Sequence, residues 1–269
     1  MFRLTPAVKT ILIINFGIWL LATMTKFPVN DIFGMYVAFS EKFQIYQPFT
    51  YMWLHSTYGL GHIIGNMLAV FFFGPMLETV WGTKRFVQFY IICGIGAGVL
   101  FGIADFAEKY PVKRDAETYL VSPDPDSFYS FILDHDVRDY GFYKEFDRMY
   151  ELSKDYSENP NNSSYIESSK NWVREIYSLT DRGNMVGASG AVFGILLAFA
   201  MLFPNTQIYL YFLFPVKAKY LVLFYGLYEL YAEFSRAPGD NIAHLAHLGG
   251  MLVAFILLKV WGMDKTRLY

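Results

Sequence analysis

The sequence predicts an all-α polytopic membrane protein, a bundle of six transmembrane helices carrying a helical extramembrane insertion between helices three and four. Three observations predict it. Apolar runs of about 18–20 residues recur along the chain, and a hydrocarbon core needs about 20 apolar residues per crossing helix. The composition is 54% hydrophobic and 19% aromatic, with a mean hydropathy of +0.28. Charge is segregated: residues 105–184 hold 17 of the 24 acidic and 10 of the 22 basic residues.

The apolar runs are 7–24, 61–81, 86–104, 186–203, 218–234 and 242–262. The first follows Arg3 and Lys9 and has the outline of a signal peptide, but no small-residue cleavage signature follows it and further spans do. It is therefore read as the first transmembrane helix. Basic residues flank the chain at Arg3 and Lys9, at Lys84 and Arg85, at Lys217 and Lys219, and at Lys259, Lys265 and Arg267. With six spans these positions fall on one side, and short basic loops mark the cytoplasmic face. Cytoplasmic termini in an inner or plasma membrane follow as the expectation, with 25–60, 105–184 and 235–241 on the opposite face.

Residues 105–184 interrupt the membrane pattern and divide the chain into 1–104, 105–184 and 185–269. In FYSFILDHDVRDYGFYKEFDRMYELSKDY, apolar residues return every three or four positions, among them Val137, Tyr140, Tyr143, Phe146 and Tyr150, which predicts an amphipathic helix. NPNNSS at 159–164 reads as a turn and 165–179 as a second helix. The acidic, Tyr- and Phe-rich character of this unit suits contact with a partner's extramembrane segment, so either a gating or substrate-selecting role or a solvated decoration of the loop is expected of it. The net charge of −2 gives no basic surface for nucleic acid. Cys93 is the single cysteine and has no internal disulfide partner.

Polar groups inside apolar spans are costly and mark functional positions. MVGASGAVFGILLAFAMLF at 185–203 carries one hydroxyl, Ser189, between Gly187 and Gly190. His62 and Asn66 lie four apart, on one helix face; His244 and His247 lie near the same end of the last span. Gly190, Gly194 and Ala198 form one small-residue stripe, and Gly250 and Ala254 follow His247 on another. Two such stripes permit close helix crossing, which is also the bland explanation for the glycines around Ser189. The crossing would bring His247 to Ser189 as a proton acceptor, with His62 and Asn66 as donors to an oxyanion. His55, His62, His244 and His247 also admit a metal reading, but the sequence pairs no carboxylate or cysteine with them at ligand spacing, so no metal is expected.

GASG at 187–190, the H-x-x-x-N pattern of His62 and Asn66, and AHLGG at 246–250 together resemble the rhomboid intramembrane serine proteases. LETVWGTKRF at 77–86 and FLFPVKAKYLVL at 212–223 extend the resemblance across all six spans. The resemblance implies a serine–histidine dyad without an aspartate, Ser189 as nucleophile and His247 as base and acid, with His244 the alternative base. It implies an oxyanion hole from His62, Asn66 and the Ser189 backbone N–H, an aromatic ring at Phe193 stacked on the histidine, and no cofactor. Its partners would be transmembrane protein substrates in a lipid bilayer; a transporter would instead show paired, interrupted helices. An inactive relative that binds membrane-protein clients shares the same fold. Two departures stand out: Tyr46-Gln47 replaces a Trp-Arg pair common in the family, and Ala254 replaces a glycine.

Overall fold

The computed structural model describes residues 4–25, 27–135, 142, 144–180, 183–210, 213–235 and 243–262. Its helices are α1 (Pro6–Met24), α2 (Val29–Phe33), α3 (Gln47–Thr50), α4 (Gly61–Trp81), α5 (Thr83–Val121), α6 (Pro125–Asp134), α7 (Phe146–Glu158), α8 (Ser163–Thr180), α9 (Ser189–Leu202), α10 (Ala218–Ser235) and α11 (His244–Val260). Strands β1 (Gln207–Leu210) and β2 (Phe214–Lys217) form an antiparallel hairpin between α9 and α10, where the sequence predicts only a connection.

Helices α1, α4 and α5 are long and apolar enough to cross a membrane. The apolar α9 and α11 are shorter, at 14 and 17 residues. At about 1.5 Å per residue α9 spans about 21 Å, less than a hydrocarbon core of about 30 Å. Large apolar side chains cover the bundle's outside, including Ile13, Phe72, Ile103, Phe224 and Ile256, as contact with lipid requires. Between residues 122 and 180, Tyr129 and Leu133 are the exposed large apolar side chains among the described residues. That part of the chain carries few large apolar side chains on its surface. The protein is a multi-pass, mainly helical membrane protein.

The helix ends show how the bundle is fastened. Pro6 starts α1, and the buried Glu78 on α4 accepts hydrogen bonds from the Ala7 and Val8 N–H groups at 2.9 and 3.0 Å. Those amides have no partner within their own helix, and a carboxylate there also faces the positive end of the helix dipole. Thr83 donates to the same carboxylate from the first turn of α5. Gly82, at φ +77°, makes the turn between α4 and α5, which explains the glycine and glutamate of LETVWGTKRF.

The segment 29–60 is held by its polar side chains. Gln47 is fully buried; it accepts from the Tyr36 N–H and donates to the Ile32 and Lys42 carbonyls. The Gln at this departure from the family pair thus satisfies backbone groups that would otherwise be orphaned.

A second hydrophobic cluster lies apart from the bundle core. It joins Val112 and Tyr119 of α5, Phe128 of α6, Met149 of α7, and Val173 and Ile176 of α8. Helix α5 runs through position 105 without a break, so one 39-residue helix serves both cores. The single amphipathic helix expected over 128–156 is two, α6 and α7. Asp124 caps α6 by accepting the Ser127 N–H, and α6 ends where His135 reaches Asp115 at 3.0 Å. The hydroxyl and N–H of Ser127 hold the Asp124 carboxyl below its ordinary range. Val137, Tyr140 and Tyr143 lie outside the described residues, as do Arg3, Lys265 and Arg267 of the charge pattern. The turn expected at NPNNSS, 159–164, is shorter, since α7 ends at Glu158 and α8 already begins at Ser163.

Candidate active site

Ser189 is the first residue of α9, and the chain leading to it is anchored on both sides. Met185 pairs with Met35 through two backbone hydrogen bonds, Asn184 donates to the Asn30 carbonyl, and the Gly187 N–H donates to the Tyr51 carbonyl at 3.1 Å. Gly187 has φ +143°, a conformation side chains rarely adopt. A Cβ there would also lie 2.9 Å from Nε2 of His62. The glycine before the GASG serine therefore provides both the turn and the space beside the imidazole.

His62 and Asn66 project from the first two turns of α4. The Ser56 N–H donates to His62 Nδ1 at 3.3 Å, so in the neutral ring the proton sits on Nε2, the nitrogen nearest Gly187. Nδ2 of Asn66 is buried and has no hydrogen-bond partner. Unpaired buried donors are expensive, and Asn66 is among the residues that line the cavity beside Ser189.

Helices α9 and α11 cross at glycine. A Cβ on Gly250 would fall 1.9 Å from the Gly190 carbonyl oxygen, and one on Gly190 would meet Ala97 at 2.4 Å. Gly194 is packed against Cys93 and the Gly250 carbonyl. The buried His247 of α11 lies face to face with Phe193 of α9, with ring centroids 4.1 Å apart and planes within 6°. Ser189, His62, Asn66, His247, Phe193 and Gly187 line one cavity of about 930 Å³. That volume is at the upper end for a ligand pocket. Asp105, Glu108 and Lys109 also line it.

Sequence reasoning missed Glu229. This carboxylate on α10 is 3% exposed, and its Oε2 lies 2.5 Å from His244 Nδ1 and 2.7 Å from His247 Nδ1. The available signal was an acidic residue inside the apolar run 218–234, which by itself marks a functional position. Glu229, His244 and His247 are also the cluster among the described residues that could hold a metal ion. The spacing argues for hydrogen bonds. Two nitrogen or oxygen ligands at about 2.0 Å from a tetrahedral zinc lie about 3.3 Å from each other.

A short helix opening on a serine, set in a bundle of apolar helices with histidines at the same cavity, defines the class as a polytopic helical membrane protein. A family model described as the rhomboid domain matches residues 42–113 and 169–263, more than half of the chain. The chain belongs to the rhomboid family. Curated relatives include RHOMBOID-like protein 12, mitochondrial, of Arabidopsis thaliana, 24% identical over 199 residues, covering 73% of this chain and 41% of that protein. Rhomboid protein 1, mitochondrial, of Saccharomyces cerevisiae is 34% identical over 95 residues, covering 35% of this chain and 27% of the relative. RHOMBOID-like protein 1 of Arabidopsis thaliana is 37% identical over 60 residues, covering 22% and 15%. The matched segments thus span less than half the length of each relative. No solved structure matches the chain significantly.

Proposed function

We propose that the protein is an intramembrane serine endopeptidase that hydrolyses peptide bonds in or near the transmembrane segments of other proteins. The observation that carries this reading is the single cavity that Ser189, His247, His62 and Asn66 line together, with the His247 ring lying flat against Phe193.

In the proposed reaction, Ser189 Oγ bonds to the scissile carbonyl carbon while its proton passes to Nε2 of His247. Asn66 Nδ2, His62 Nε2 and the Ser189 N–H donate to the oxyanion that forms, and a donor of this kind is worth about 3–4 kcal/mol in the transition state. The C–N bond then breaks, His247 returns the proton to the leaving amine, and a water resolves the acyl-enzyme by the same steps. Phe193 holds the imidazole plane against rotation. The hydrocarbon supplies no water, so the cavity must admit it.

We further propose the boundaries 1–104, 105–184 and 185–269, a six-span count, and termini on the face carrying the basic loops. Residues 114–168, which the family model leaves out, fall within the middle unit. The plasma membrane expected from the charge pattern gains nothing from the relatives, two of which carry mitochondrial names. The basic-loop rule orders the two faces of a membrane and does not choose the organelle.

The test is covalent labelling of the purified protein by a fluorophosphonate probe, together with cleavage of a reporter bearing one transmembrane helix. Both should require Ser189. A client-binding protein would retain the reporter without labelling or cutting it.

A further inference from the structure

We propose that Glu229 is a positioning residue for His247, so that the dyad works as a chain of three, Ser189, His247 and Glu229. This inference rests on the proposed serine chemistry. The family resemblance implies a dyad with no acid, and Glu229 lies outside every motif that carries that resemblance.

A carboxylate that is 3% exposed in an apolar helix bundle costs several kcal/mol unless donors surround it. Two donors do. Oε2 receives His244 Nδ1 at 2.5 Å and His247 Nδ1 at 2.7 Å; the second is a usual length for a nitrogen donor to an ionised oxygen and the first is shorter still. One oxygen facing two ring nitrogens reads most simply as a carboxylate accepting from two N–H groups. Both imidazoles then carry their neutral proton on Nδ1.

For His247 the consequence is chemical. With Nδ1–H held by Glu229, Nε2 keeps its lone pair, and it is the nitrogen left for Ser189. Phe193 fixes the plane of the ring, but stacking leaves both flipped orientations equally good, because a ring face does not distinguish Nδ1 from Nε2. Glu229 removes that ambiguity. When Nε2 takes the serine proton the ring becomes cationic, and the carboxylate faces the new charge without accepting the second proton. The proton count closes: one moves from Oγ to Nε2 and on to the leaving amine, while Nδ1–H and the ionised Glu229 are unchanged. His244 supplies the second N–H that keeps the carboxylate oriented.

The test uses the full chain in detergent micelles. Glu229→Gln keeps the volume but offers a neutral amide. Its rate of fluorophosphonate labelling and the kcat for the transmembrane reporter should fall by about 10²–10³-fold, with KM within about twofold. Glu229→Asp, which keeps the charge on a shorter arm, should recover at least about tenfold of the loss. A packing role alone would produce the reverse order, with Gln better tolerated than Asp. The second measurement needs no activity: ring-nitrogen NMR of the protein labelled with 15N-histidine, its five histidines assigned by substitution. His247 should show a protonated Nδ1 and a bare Nε2 in the native chain, and a mixture in Glu229→Gln. Native-like labelling in Glu229→Gln, a proton on His247 Nε2, or stoichiometric zinc on these nitrogens would each overturn the proposal. If the native protein neither labels nor cuts the reporter, the protease reading fails, and the nitrogen spectrum still decides the Glu229–His247 bond.

Discussion

The imidazole of His247 lies flat on the ring of Phe193, centroids 4.1 Å apart and planes 6° from parallel. The two residues sit on different helices, so the stack records how α9 and α11 meet as well as how the histidine is aimed. Phe193→Leu should keep the helices packed, because leucine fills most of the same space, yet leave the ring free to turn. The expected outcome is a drop of about tenfold or more in the labelling rate, as general-base contributions depend on placement. Phe193→Tyr should retain most of the rate. Equal loss in both variants would mean that the ring is held by something else.

Gly250 and Gly190 make the closest approach in the crossing. Gly250→Ala places a methyl 1.9 Å from a backbone oxygen, which no rotamer relieves. It should destabilise the protein by more than about 3 kcal/mol, beyond ordinary overpacking of side chains. Gly17→Ala on α1 is the control. No atom lies within 4 Å of its Cβ position, and removing a helical glycine should raise stability by about 0.5–1 kcal/mol. Thermal unfolding of the two variants in the same detergent separates a steric effect from a general intolerance of alanine.

Asn66→Ala should lower kcat by about 10²-fold or more and leave KM nearly unchanged, since the proposed oxyanion contact exists only in the transition state. The native amide has no partner to lose, so thermal stability should be unchanged or slightly higher. A change confined to KM would move Asn66 into substrate binding.

Glu78→Ala tests a contact far from the chemistry. It orphans the Ala7 and Val8 amides at a buried helix start, at an expected cost of about 2–4 kcal/mol. The labelling rate per folded molecule should hold. Unchanged melting would show that water or lipid headgroups replace the carboxylate.

Phe128→Ala empties the middle of the second cluster and should cost about 3–5 kcal/mol. If that cluster selects substrates and takes no part in the chemistry, reporter preference should change while probe labelling of Ser189 continues. Labelling lost together with folding would make the cluster a support for α9.

Much of this molecule was legible from spacing. Ser189 between glycines, the four-residue step from His62 to Asn66, and the run from His247 to Gly250 each placed a residue that lines the common cavity, because helical periodicity converts spacing into a face. Glu229 was not legible in that way. It stands 15 and 18 residues before its histidines, on a different helix, and no periodicity connects them. The break between α6 and α7 escaped for a related reason, since the apolar repeat in the sequence continues from one helix to the next. The hairpin at 207–217 was hidden because four-residue strands are too short to show alternation.

The second cluster also shapes how the bundle can assemble. Val112 and Ala116 share a core with Val173 and Ile176, so the chain is clasped far short of its full contour between the apolar part of α5 and the start of α9. Without the clasp, 84 residues, 105–188, would have to close before those two helices could pair. With it, only the stretch after Ile176 remains slack, about a dozen residues. The logarithmic dependence of closure entropy on length makes this worth about 1.7 kcal/mol, or a factor of about 20 in the probability of encounter. The second cluster would in this way act as an entropic guide for the helix that bears the serine, and its contribution would register in the yield of folded protein before it registered in any rate.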